Sequence, residues 1–158
     1  MYKKILVPLD GSELAECVLP HAGSIAKGCN VESITFIRVV EPVQIPRATD
    51  DDGYTLSDRV LQQMEADSKT EAERYLTELT GRAEYDGMNI TSQVLTGGQA
   101  ADMIAEYATK NGVDLIAIAT HGRSGISRWV LGSVADRVLR SSSVPVLMVR
   151  APGCVPGG

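Results

Sequence analysis

The run VDLIAIAT, residues 113–120, constrains this chain more than any other segment. Between Asp114 and Thr120 every side chain is apolar, so a strand here has no polar face to turn to water. Strands of that kind belong to parallel sheets covered by helices on both sides. Four more segments read as strands: KKILVPLD (3–10), ending at Asp10, SITFIRVVEPV (33–43), MNITSQVLTGG (88–98) and VPVLMVR (144–150).

The segments between them read as helices. In GSELAECVLPHAGSIAKGCN (11–30), Leu14, Val18, Ala22, Ile25 and Ala26 follow helical spacing, Ser12 suits the N-cap, and Pro20 predicts a kink or a late restart. Residues 56–87 form a long amphipathic segment whose stripe includes Leu56, Val60, Leu61, Met64, Ala72, Leu76, Leu79 and Ala83. QAADMIAEYATKNG (99–112) ends near Asn111-Gly112, and SVADRVLRSS (133–142) begins a last helix at Ser133, which the pattern makes an N-cap with Asp136 completing a capping box. QIPRATDDDGYT (44–55) is a polar loop and APGCVPGG (151–158) a loose tail. The expected fold is α/β: one domain over residues 1–150, an open five-stranded parallel sheet with helices on both faces, and no internal repeat.

No apolar run reaches the roughly 18 residues of a membrane span, and MYKKILVPLD reads as a strand rather than a signal peptide. Three widely spaced cysteines, Cys17, Cys29 and Cys154, and two histidines match no zinc pattern, which points to a reducing, cytoplasmic setting. A net charge of −5 argues against a nucleic-acid partner, and the short apolar runs argue against a membrane one. The charge is uneven, however. Residues 41–86 hold 12 acidic and 5 basic residues, a local −7, while residues 121–150 hold five arginines and one acid, Asp136, a local +4. The basic segment suits either a small anion or a solvated helix face.

In doubly wound sheets ligands bind beyond the carboxyl ends of the strands. Here those ends are PLDGS, RVVEP, LTGGQ and ATHGRSG, where glycines and polar residues collect. After Thr120 the chain passes through His121 and Gly122 and, after nine intervening residues, reaches Gly132 and Ser133. Glycines let a backbone approach a ligand closely, and a helix N-terminus offers unpaired N–H groups to an anion. A connection this long exceeds the usual two to six residues of a strand-to-helix turn. Arg123 and Arg128 lie within it and suit phosphate, while Trp129 and Leu131 suit pinning it to the protein or to a partner subunit.

The stretch ATHGRSGISRWVLGS resembles the signature of the universal stress protein family, G-x2-G-x9-G-[ST], which forms an ATP phosphate-binding loop in that family. Gly122, the nine residues RSGISRWVL, Gly132 and Ser133 match it. The first glycine falls at Ala119, a departure that adds a methyl and makes positive φ costly. KKILVPLDGSELAE resembles the family's opening strand and PVLMVR its closing strand, so the resemblance spans residues 1–150. It implies a Rossmann-like fold of the adenine nucleotide alpha hydrolase type. It also implies Pro8 and Leu9 beside the base, Val39 offering backbone to adenine, and Asp10 at the ribose. Gly122, Gly132, Ser133 and Val134 would contact the phosphates, and Ala119, His121, Arg123 and Gly125 complete the candidate binding set. ATP with Mg2+ or Mn2+ on its phosphates, and a homodimer through Val144–Arg150, follow from the same resemblance.

The implied role is a nucleotide-dependent stress-response switch with at most slow hydrolysis. There is no P-loop GxxxxGK[ST], and no evident base stands beside the glycine segment. Two other readings remain open: an adenylyl-transferring enzyme, against which THGRS matches neither SGGxDS nor HxGH, and a nucleotide-independent interaction module. Aromatic content of 4% offers little to stack on a flavin, and LTGG lacks the aspartate of a phosphorylated receiver.

Overall fold

A computed structural model describes residues 1–43, 58–82, 87–120 and 132–150. Five strands, β1 (Lys4–Pro8), β2 (Ser33–Val40), β3 (Ile90–Thr96), β4 (Leu115–Ala119) and β5 (Val146–Val149), form one parallel sheet in the order β3-β2-β1-β4-β5. The helices are α1 (Glu13–Glu16), α2 (Leu19–Cys29), α3 (Asp58–Thr80), α4 (Ala100–Lys110) and α5 (Ser133–Ser141). The strand order runs outward from β1 to β3, then restarts on the other side of β1 with β4. The crevice at that reversal, above the carboxyl ends of β1 and β4, is where such sheets take ligands.

The sheet divides the core in two. Ile5 and Val7 of β1 pack with Val18, Leu19 and Ala22 on one face, where Leu76 and Leu79 of α3 join them. Leu6, one residue along and therefore on the opposite face, packs with Ile104 of α4 and Val138 of α5. The central strands are accordingly buried on both faces, as their apolar runs demand, while edge strand β3 exposes Thr91, Ser92 and Gln93.

Pro20 restarts a helix rather than kinking one. α1 stops at Glu16, Val18 caps α2, and Pro20 falls in the first turn of α2, where its missing N–H is no loss. Asn30 closes α2 in the left-handed conformation, φ 52°.

The long stripe of α3 is only half used. Ala72, Leu76 and Leu79 are fully buried, but Val60 and Met64 remain 42% and 45% exposed. A helix of 23 residues runs about 34 Å, and the eight residues of β2 run about 26 Å. The first turns of α3 therefore overhang the sheet. Leu56 and Ala83, expected in the same stripe, lie outside the described residues, as do the loop 44–55 and the tail 151–158.

Candidate functional site

β1 ends at Pro8, and the turn through Leu9 and Asp10 into α1 is tightly made. Leu9 stays buried, its N–H bonded to the Ile37 carbonyl at 2.8 Å, so the chain is held to β2 beyond the last strand residue. Asp10 then leaves the sheet exposed. Its Oδ1 accepts the Ser12 N–H at 2.9 Å and the Ser12 hydroxyl at 2.6 Å. Gly11 between them has φ +85°, a conformation that glycine adopts at little cost. Ser12 Oγ accepts the Ala15 N–H at 3.2 Å, so the expected N-cap is present. One oxygen of Asp10 is thus spent on the turn.

On the other side of the crevice, β4 ends at Ala119. This residue lies in an extended strand, in register with Val149 of β5. The position therefore needs no positive φ, and alanine sits there without the backbone penalty its sequence position suggested. Its neighbour Thr120 is buried, and the Thr120 carbonyl accepts the Gly132 N–H at 2.8 Å. That bond brings together the two ends of the segment 121–131, which is outside the described residues and contains His121, Gly122, Arg123 and Gly125.

α5 begins differently from the sequence expectation. Gly132, not Ser133, is the N-cap, and no side chain caps the helix. Asp136 does not close a capping box. It lies one residue too far along for that, and its carboxylate pairs with Arg140 at 3.0 Å, an i,i+4 contact. Among the described residues the N–H groups of Ser133, Val134 and Ala135 have no acceptor. They face a crevice with the positive end of the helix behind them.

These two walls enclose one cavity of about 160 Å³. It is comparable to an engineered apolar cavity of roughly 150 Å³ that admits benzene, so it has the scale of a flat ring system. Of the sequence-predicted residues, Pro8, Leu9, Asp10 and Val39 line one side, and Ala119, Gly132, Ser133 and Val134 the other. Sequence reasoning missed the floor and back. Ile37 and Ile118 come from the sheet, and Ala100 and Ile104 from α4. The last two are spaced i,i+4, a signal indistinguishable from ordinary core packing. The lining is apolar except at the mouth, where Asp10 and Ser133 stand.

The start of α4 borders the same crevice but is already occupied. Glu41, just past β2, places Oε1 2.7 Å from the Ala100 N–H. Beside it Gln99 accepts a hydrogen bond from Arg137 of α5, which ties the two helices together. Of the described helix starts at this edge, α1 has a side-chain cap from Ser12 and α4 has its first N–H bonded to Glu41, whereas α5 has no side-chain cap and no described acceptor for any of its first three N–H groups. Among the described residues no group of three or more His, Cys, Asp or Glu side chains is arranged to hold a metal ion, and no helix is long and apolar enough to cross a membrane.

The universal stress protein family model matches residues 1–150. The universal stress protein MJ0531 of Methanocaldococcus jannaschii is 34% identical over 152 residues, covering 96% of this chain and 84% of its own. The solved structure of MJ0577, from the same organism, superposes with a TM-score of 0.78 at 26% identity, covering 96% of this chain and 97% of that one. A universal stress protein family protein from Arabidopsis thaliana, solved with AMP bound, shares the fold at a TM-score of 0.57 and 14% identity, with 96% of this chain and 93% of that one covered. With its Rossmann-like sheet, its crevice at the β1–β4 reversal and a family match running from the first strand to the last, the chain belongs to the universal stress protein family.

Proposed function

We propose that this protein binds ATP in the crevice between β1 and β4 and that occupancy, rather than rapid turnover, is its output. The observation that carries the reading is the asymmetry of the cavity: an apolar slot of ring size opens at its mouth onto Asp10 on one side and, on the other, three helix N–H groups that have no acceptor among the described residues. A base fits between Leu9, Val39 and Ile104. A ribose suits the free oxygen of Asp10, since a carboxylate accepts from hydroxyls. Phosphates suit the N–H groups of Ser133 and Val134. The Gly132 N–H is already bonded to Thr120, so Gly132 contributes close approach rather than a donor.

With Asp10 the one carboxylate lining the cavity among the described residues, a divalent cation would be held chiefly by the phosphate oxygens and would neutralise their charge. A relative of the same fold from Arabidopsis has been solved with AMP bound, which supports an adenine nucleotide as the ligand. Slow hydrolysis is compatible with backbone donors around a metal-bound triphosphate. The same reading includes a homodimer through Val144–Arg150, because β5 ends the sheet and its outer edge pairs with no described strand.

The test is to denature freshly purified protein, identify any released nucleotide by chromatography and mass spectrometry, and titrate the stripped protein with ATP and Mg2+ by calorimetry. Stoichiometric ATP or tight rebinding is expected. An empty protein that also refuses ATP overturns the reading and leaves a nucleotide-independent interaction module.

A further inference from the structure

Arg38 points away from the crevice, yet its guanidinium supports one of the crevice walls. Its neighbours Ile37 and Val39 pack on the α4–α5 side of the sheet, and Arg38 extends to the opposite side, toward α3. Only 16% of the side chain is exposed. Its Nη2 lies 3.7 Å from Glu71 Oε1, and its Cζ lies 5.6 Å from the centre of the Tyr75 ring. The first distance is too long for a hydrogen bond, and among the described residues the guanidinium donates none. What it does meet is Gly11. A Cβ on Gly11 would stand 3.1 Å from Cζ and Nη1 of Arg38 and 3.4 Å from Nη2.

A side chain that only filled this space would be better as methionine or leucine, since a mostly buried charge with loose partners is costly. The distances show what the planar group does instead. It occupies the space a side chain at position 11 would take, directly behind the turn that aims Asp10. We infer that Arg38 is a positioning residue for the nucleotide site: its guanidinium backs the Asp10–Gly11–Ser12 turn and fixes where Asp10 meets the ribose hydroxyls. This inference rests on the proposed nucleotide reading of the crevice. Arg38 touches no ligand and acts through Asp10.

Adenosine and adenine separate the two layers. Both are uncharged, so a changed affinity cannot be the loss of a positive charge near phosphate. Each is titrated calorimetrically into wild-type protein, Arg38→Met, Arg38→Lys, Asp10→Ala and the Arg38→Met/Asp10→Ala double variant. Arg38→Met is expected to weaken adenosine about tenfold, the scale of one hydrogen bond to a charged group, and to leave adenine unchanged. In the Asp10→Ala background it is expected to have no further effect. Arg38→Lys keeps the charge but not the plane, and is expected to behave like Arg38→Met. It carries the test if the methionine variant does not fold. Equal weakening of adenine and adenosine, or a full additional loss on top of Asp10→Ala, overturns the inference while leaving ATP binding intact. Wild-type protein that binds neither ligand, nor ATP, overturns the nucleotide reading itself.

Discussion

The starts of α1 and α5 stand on opposite sides of one crevice, each a short step from the end of a central strand, and they are built in opposite ways. The α1 side is closed on itself. Ser12 caps the helix, Asp10 is locked to Ser12, Gly11 turns between them, and Arg38 stands behind. The α5 side is left open. Its N-cap is a glycine with no side chain to offer, and its first three N–H groups have no described acceptor. A wall whose carboxylate is held by its own turn presents a fixed shape, which suits a sugar whose hydroxyls need precise acceptors. A wall with spare donors and a helix dipole behind it suits an anion that supplies the acceptors itself.

The strongest way to break this contrast is to fill the open wall. Gly132→Val places a branched side chain at the cavity mouth, beside the donors of Ser133 and Val134. If two charge-assisted hydrogen bonds at roughly 1.5 kcal/mol each are lost, ATP affinity falls by about a hundredfold or more. Adenosine, which has no phosphate to place at these donors, should lose far less, and the circular dichroism spectrum should be unchanged. Calorimetric titration of both ligands is the measurement, and wild-type ATP affinity in the variant rules out α5 as the phosphate wall.

A milder intervention loosens the closed wall. Ser12→Ala removes the hydroxyl that both caps α1 and holds Asp10, while the Ser12 N–H bond to Asp10 survives. Loss of an N-cap costs about 1 kcal/mol, readable as a lower midpoint in chemical denaturation. Adenosine should weaken less than in Asp10→Ala, because the carboxylate remains and only its aim is relaxed. An unchanged denaturation midpoint would show that this cap contributes no measurable stability.

The difference between the walls was only partly legible in the sequence, and the reason is range. The sheet could be read because the information is local: runs such as LIAIA have no polar face, and Pro20 can start a helix but not continue one. The crevice could be placed because strand ends collect glycines and polar residues, and Asp10, Val39, Ala119 and Ser133 do line it. What escaped were pairings across the chain. Glu41 caps a helix 59 residues away, Arg38 lies against Gly11 from a different strand, and Ala100 with Ile104 reads as ordinary helix core. Ser133 looked like a cap by residue type, but the Thr120–Gly132 bond closes the preceding segment one residue earlier and makes Gly132 the boundary. The stripe of α3 was read from periodicity, which says which face is apolar but not how far the sheet beneath it extends.

The smallest expected effect tests the layer behind the closed wall. Tyr75 stacks with Arg38 and donates its hydroxyl to Glu16 Oε1 at 3.0 Å, and Glu16 in turn accepts from Arg82 at 2.8 Å. Burial, then the adjacent Glu16 carboxylate, holds the phenol well above its usual value of 10.0. The folded protein therefore keeps this proton at a pH where the unfolded chain has released it. The resulting stability is complete below about pH 10 and is lost as pH rises toward the folded value. Between about pH 9 and about pH 11, the denaturation midpoint of wild-type protein should fall more steeply than that of Tyr75→Phe, which has no proton to lose at this position. At neutral pH the phenylalanine variant gives up one hydrogen bond while Glu16 keeps Arg82, so the two should differ little there. Parallel pH dependences for the two proteins would mean that the phenol titrates alike folded and unfolded, and that Glu16 leans on Arg82 rather than on Tyr75.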